Sequence, residues 1–521
     1  MKLYKHTLLV VVLLCLLLPV TQSKLQLIVL EPLDGDVHVA PDTSFSNEGW
    51  FSSEFQNVKE KYLNDNFGFR NFYVRLRNQI CYTFFNKVFA KEVLAGRSGF
   101  LYEDKYLKTH AGLDFIGDDE VEILFEKIKF IQDTLQKQGI TFAVLFAPGK
   151  ATFYPEYIPY PYDNNATVTN YIKFAEAALK KNVNHIDFNK WFYELKEKTK
   201  YPLYPKAGTH WSIYGMHVAF DSLKKYMEKT SGKKLTGFDY STVELSDTLR
   251  HPDGDIAMGL NLLKELPHFK MAYPVVKWTD TIDVYKPAVL TISDSYWMGV
   301  YFTGLPQKVF SNHEFWYYNQ MLYNYSPDGK FGSPSDYDLK TSIEKNKFVF
   351  IMSTEASLKN MGWGIVNELY NMYKGGPAAY RVQKRNRKKT AEINKIKNVI
   401  WNDERWFAQI KKQAKGLNLT MDSCINSNAE FFYYDTHKND PPVVLTYQER
   451  LEDKIAVIRV QMMSSKDWKA YLIKKAADMK ISLDSCMNMD AAWEAKNAIL
   501  EELVLSYKEK IISNPAWLKD I

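Results

Sequence analysis

The chain has 521 residues, 46% of them hydrophobic and 25% charged, which is ordinary globular composition and excludes a disordered, collagen-like or multi-span membrane protein. A net charge of +6 is small for this length and gives no argument for nucleic acid, and four cysteines are too few for a disulfide scaffold. Aromatic residues reach 15%, a content that serves packed cores and sugar-stacking surfaces alike.

Lys2 and Lys5 precede a 13-residue apolar run, 8–20, followed by Thr21-Gln22-Ser23. This reads as an export signal over 1–23, shorter than the roughly 20 apolar residues that cross a bilayer. Cleavage is the favoured fate and a retained signal anchor the alternative; either way the body is placed in the periplasm or cell envelope. Segment 54–89 has helical apolar spacing, 100–102 reads as a short strand, and 120–138 is an amphipathic helix. An all-apolar run follows at 140–146 (ITFAVLF), then a helix at 171–181 and a strand at 184–188. Two further buried-strand patterns occur at 287–292 (PAVLTI) and 347–352, with a helix predicted over 213–226. Alternating strands and helices predict an α/β domain with a doubly wound parallel sheet, whose sites lie at the carboxyl ends of strands.

Near residue 380 the composition changes. Six basic residues between Arg381 and Lys389 read as a solvated linker or helix face. Beyond them the chain repeats itself at an offset of 62: Trp406 matches Trp468, Asp422 matches Asp484, and Cys424 matches Cys486. Each unit reads as a helix, a turn and a second helix, with Asp422 or Asp484 as the helix cap and the cysteines as buried thiols. A helical repeat domain over 380–521, serving to dock a protein partner, is the expectation.

The chemistry-bearing residues are Ser295 and His210. Ser295 follows the 287–292 strand in Ser293-Asp294-Ser295-Tyr296, at a strand end leading into a helix, where N–H groups stabilise an oxyanion. His210 lies in Gly208-Thr209-His210-Trp211, before the predicted helix. A serine nucleophile needs a base within hydrogen-bond reach and usually an acid behind it. No phosphate-binding glycine loop, no HExxH and no CxxC pattern occurs, so no cofactor and no metal are expected.

Five segments in order carry a resemblance: 66–70 (NFGFR), 99–102 (GFLY), 147–156 (APGKATFYPE), 208–211 (GTHW) and 293–296 (SDSY). Together they resemble the SGNH hydrolase-like acetyltransferases of exopolysaccharide synthesis, the alginate O-acetyltransferase type, over about 45–375. The resemblance implies an exported enzyme that moves an acetyl group onto a polysaccharide hydroxyl through a Ser295 acyl-enzyme with His210 as base. It also implies an acetyl donor supplied by a membrane-bound O-acyltransferase. Where the family carries the acid two residues before the histidine, this chain has Gly208. Three readings follow: a Ser295–His210 dyad, a substitute carboxylate from Asp253 or Asp255, or a non-catalytic glycan-binding protein. A carbohydrate esterase would use the same residues. Candidate substrate contacts are Arg70, Lys150, Trp211, Trp316, Tyr317 and Asn319, with oxyanion donors near Ser295 and Gly149.

Overall fold

The structure, a computed structural model, describes residues 2–35, 39–162, 166–279, 282–324, 332–417, 419–438 and 445–513. Its centre is a six-stranded sheet. In chain order the strands are β1 (Thr141–Ala147), β2 (His185–Asp187), β3 (Ala288–Ser293), β4 (Asn312–Tyr317), β5 (Met321–Asn324) and β6 (Phe348–Thr354). The spatial order is β5-β4-β3-β6-β1-β2, parallel throughout except for the antiparallel edge strand β5.

The apolar runs of β1, β3 and β6 are continuous because both faces are covered. Along β1, Phe142, Val144 and Phe146 face one core with the helices Asp118–Gln136, Asn170–Lys180 and Ile365–Lys374. Ala143, Leu145 and Ala147 face the other, with Ile213–Ser231 and Ser295–Phe302. This is the doubly wound parallel arrangement that the alternating strands and helices predict. The predicted elements lie close to the observed ones, with two differences. Segment 54–89 is two helices, Glu54–Asp65 and Arg70–Phe85, because the chain turns at Asn66–Phe69, where Phe69 adopts a φ of +64°. The aromatic segment after Ser295, which holds the candidate contacts Trp316 and Tyr317, is strand β4: Phe315 and Trp316 point to opposite cores.

Beyond the sheet the chain is helical. Gly376–Asn402 is a long helix whose basic residues are tied down internally. Arg381 and Arg385 pair with Asp453, Lys384 with Asp338, and Arg387 with Glu368. The run 381–389 is therefore a helix face, one of the two readings expected, with Arg387 buried and Lys384 and Lys388 exposed. The repeat is larger than two helices per unit, since Gly376–Asn402 and Tyr447–Ser464 each open one. Ile400, Ile410, Ala414, Cys424, Ile425 and Ala429 form one core, and Met462, Leu472, Ala476, Cys486, Met487 and Ala491, each 62 positions on, form another. Cys424 and Cys486 are buried free thiols in these separate cores. The helix caps sit two residues earlier than predicted. Thr420 accepts the Ser423 N–H and Ser482 accepts the Ser485 N–H, while Asp484 pairs with Arg459. The Asp422 side chain lies outside the described ones.

Candidate active site

Strand β3 ends at Ser293, and the helix Ser295–Phe302 begins immediately. Asp294 makes that sharp passage possible. Its Oδ1 accepts the Tyr296 N–H at 3.1 Å and caps the helix. Its Oδ2 accepts the N–H and hydroxyl of Thr354, at 3.0 and 2.8 Å, at the end of neighbouring β6. The carboxylate is buried yet fully bonded, which pins the Ser295 turn to the sheet edge.

His210 reaches Ser295 from the other side. Its Nε2 lies 2.9 Å from Ser295 Oγ, and its Nδ1 lies 2.5 Å from Asp255 Oδ2. Asp255 Oδ1 accepts the Thr209 N–H at 2.8 Å, so one carboxylate holds both the imidazole and the backbone beside it. Of the two candidate acids, the structure brings Asp255 to His210 and does not bring Asp253. Asp253 is fully buried and accepts the Ile213 N–H at 3.2 Å, at the start of the helix Ile213–Ser231. Burial pushes its carboxyl up to about 7, against the pull of that N–H and of Tyr273.

Four further hydrogen bonds hold the His210 loop. Lys150, opening the short helix after β1, donates from Nζ to the carbonyls of Lys206 and Gly208 at 2.8 and 2.6 Å. The Tyr296 hydroxyl donates to Thr209 O at 2.7 Å, and the Ala257 N–H to Ala207 O at 2.9 Å. Lys150 is 1% exposed, and desolvation lowers its pKa to about 7. Its reach to a polymer, expected from sequence, is therefore corrected: the ammonium is consumed by backbone carbonyls.

Other expected contacts also move. Trp211 is buried against Phe192 and Tyr296, and its indole donates to Tyr296 O at 3.3 Å. Trp316 is buried beneath the Arg387 guanidinium. Neither ring offers a face to a sugar. Arg70 pairs with Asp65 at 3.2 Å at the start of the helix Arg70–Phe85. The Gly149 N–H, an expected oxyanion donor, bonds the buried carboxyl of Glu355, which also accepts from Thr152 and Asn189. Burial drives Glu355 up to about 7. Tyr317 and Asn319 are half-buried in the tight turn joining β4 to β5.

That turn supplies a residue the sequence did not flag. Tyr318 and Asn319 both take left-handed backbone, φ +50° and +53°, in the three-residue loop 318–320, where Gln320 N–H donates to Tyr317 O. That conformation leaves Tyr318 largely buried beside Ser295, where burial raises the tyrosine's pKa while the Ser295 hydroxyl pulls it down. Its ring meets Trp363 edge-on at 5.1 Å, and Trp363 is likewise left-handed, φ +48°. No local pattern marks such a residue, because Asn-Gly is the usual hairpin pair. Among the described residues, no three His, Cys, Asp or Glu side chains gather as a metal site requires.

Residues 93–286 match the model of the SGNH hydrolase-like domain of acetyltransferase AlgX. The SGNH hydrolase-like match includes His210 and Asp255 and ends before Ser295. No curated protein matches the chain. Among solved structures, the O-acetyltransferase domain of Pseudomonas putida AlgJ is 20% identical, covering 54% of this chain and 98% of that one, with a TM-score of 0.37. Pseudomonas aeruginosa AlgX is 12% identical, covering 53% and 66%, with a TM-score of 0.35. Bacillus cereus PatB1 is 14% identical, covering 52% and 98%, with a TM-score of 0.32.

Proposed function

We propose that the chain is an exported O-acetyltransferase acting on a polysaccharide, with Ser295 as nucleophile, His210 as base and Asp255 as the acid that orients His210. The observation that carries this reading is His210 bonded to Ser295 through one ring nitrogen and to Asp255 through the other. Asp255 fixes the proton on Nδ1, which leaves Nε2 free to accept the serine proton. As Ser295 Oγ attacks the acetyl carbonyl, its proton passes to His210. Collapse of the tetrahedral intermediate expels the donor's leaving group, which takes that proton, and leaves an acetyl-serine. A sugar hydroxyl then gives its proton to His210 and attacks the ester. His210 returns the proton to Ser295 as the acetylated sugar leaves.

The oxyanion is assigned to the Ser295 N–H, which opens a helix and so has no intrahelical acceptor, and to the Tyr318 hydroxyl. The acetyl donor is a membrane-bound O-acyltransferase partner, as the resemblance implies. The helix Lys2–Leu25 supports export, since its stretch His6–Leu25 is long and apolar enough to cross a membrane. The helical repeats from residue 380 are assigned a docking role, supported by exposed Phe431 and Trp493.

The test is acetyl release from a chromogenic ester with and without an acceptor oligosaccharide, compared with Ser295→Ala. Ser295-dependent release with acetylated oligosaccharide as product is expected. Release that ignores the acceptor and yields no acetylated product would make the chain an esterase. Release that persists in Ser295→Ala, or none in either, would remove the enzymatic reading.

A further inference from the structure

The N-terminal helix Lys2–Leu25 is built into the fold at its carboxyl end. Pro19 is buried, and a side-chain carbon on Gly68 would stand 1.9 Å from Pro19 O and 2.9 Å from Ser23 N. Only glycine permits so close a backbone approach. Ser23 Oγ donates to Asn66 O at 2.8 Å, and Gln22 closes the turn by bonding both the N–H and the carbonyl of Ile28. Arg75 then holds the carbonyls of Glu31 and Pro32 at 2.9 and 2.6 Å. These contacts run across Ser23, where a leader would be cut, and cleavage there would strip the covering from Gly68.

The surface around that junction is aromatic and uncovered. Phe67 and Tyr73 flank Gly68, each 48% exposed, beside Phe72. Trp50 is half exposed and Phe51 is 86% exposed on the neighbouring helix Asn47–Phe51. The helix Glu54–Asp65 buries no side chain. The rings form two clusters, Phe45, Trp50 and Phe55 around the start of the helix Glu54–Asp65 and Phe67, Phe72 and Tyr73 beyond its end. Exposed apolar patches mark a surface that is covered in use. The occupant is indicated by the helix that leaves beside Phe67 and Gly68. His6–Leu25 spans 20 residues, is only 12% buried and matches the thickness of a bilayer. Aromatic side chains beside the end of such a span sit at the headgroup level. The helix Arg70–Phe85 carries no acidic residue, and its Arg77 lies over the Phe89 ring.

We propose that the helix Lys2–Leu25 stays on the chain as a bilayer-spanning anchor, and that segment 45–85 lies on the bilayer surface with its aromatics in the headgroup layer. The catalytic body is thereby seated on the membrane. This rests on the envelope placement proposed above and not on the chemistry at Ser295.

The test uses the full chain in vesicles of phosphatidylethanolamine and phosphatidylglycerol, with or without brominated acyl chains. The emission difference between the protein and Trp50→Phe isolates Trp50, and Trp493→Phe, on the repeats, serves as the control. We expect an intact mass that retains residues 1–25, and Trp50 emission quenched about twofold or more by brominated lipid, while Trp493 is quenched only by aqueous iodide. A mass lacking the first 23 residues would overturn the anchor. Trp50 open to iodide and untouched by brominated lipid would overturn the bilayer contact. Shielding of Trp50 in native membranes but not in pure lipid would assign the surface to a protein instead. Acetyl release by Trp50→Phe, read in parallel, separates this outcome from failure of the proposed chemistry.

Discussion

Gly208 and Asp255 share one space: a side-chain carbon on Gly208 would stand 3.0 Å from Asp255 Oδ1 and 2.8 Å from the carbonyls of Pro252 and Asp253. The residue that lacks a carboxylate is also the one that makes room for another. The absence of an acid two residues before His210 is thus matched by a carboxylate that enters from the helix Asp255–Gly259 and bonds the same imidazole.

Asp255→Asn should lower kcat/KM for acetyl release by about three to four orders of magnitude, the cost of presenting the wrong imidazole tautomer. Asp253→Asn should cost far less, because Asp253 bonds Ile213 and not His210. Steady-state kinetics on both variants check the assignment; equal losses would refute it. Gly208→Asp should not rescue Asp255→Asn, since its Cβ meets two backbone carbonyls, and its thermal midpoint should fall.

Lys150→Met should destabilise the chain by about 2–4 kcal/mol, because Lys206 O loses a donor and Gly208 O loses its ammonium inside the protein. Denaturant unfolding measures this. Activity should fall with it, as the His210 loop loses a tether. The lysine's pKa is lowered from its usual value to about 7 in the fold. Between about pH 7 and the ordinary lysine value the unfolded chain then holds more protons than the folded one. This group therefore adds stability as pH rises through that window, and Lys150→Met should remove the rise.

Glu355 has the opposite sign. Its folded pKa is raised to about 7, so its contribution is complete below the ordinary carboxyl value and is lost as pH rises towards 7. Glu355→Gln should flatten the dependence of unfolding free energy on pH between about 4.5 and 7. The variant should be more stable relative to the parent at pH 8 than at pH 4. A parallel pair of pH profiles would refute the assignment.

Asp294→Asn preserves the cap to the Tyr296 N–H but faces an amide N–H₂ towards the Thr354 N–H. We expect a loss of about 1–3 kcal/mol by denaturant unfolding, with reduced acetyl release from a displaced Ser295. Replacement by Ala removes the cap as well and should cost more.

Tyr318→Phe removes the hydroxyl beside Ser295 while keeping the ring against Trp363. The expected result is a kcat lower by about two to three orders of magnitude with KM little changed, as for loss of one oxyanion donor. An unchanged kcat would leave the backbone N–H as the donor.

Several features were written locally in the chain. Continuous apolar runs declared β1, β3 and β6, because a strand covered on both faces has no polar side to show. Repetition at 62 residues declared two equivalent helical cores, and Ser295 and His210 stood out from their immediate neighbours. Strand β4 was hidden, since its aromatics fit a binding loop as readily as a core. What only the tertiary structure decided were relationships between distant segments. Asp255 lies 45 residues from His210, and nothing in its local spacing separates it from Asp253; the choice was made by which carboxylate the Gly208 backbone admits. Lys150 and Trp316 carry groups suited to a polysaccharide, but folding enclosed one among carbonyls and the other under Arg387. Tyr318 reaches Ser295 through a left-handed turn that residue identity does not announce. Side-chain chemistry is a property of the residue, whereas reach and burial belong to the packing around it.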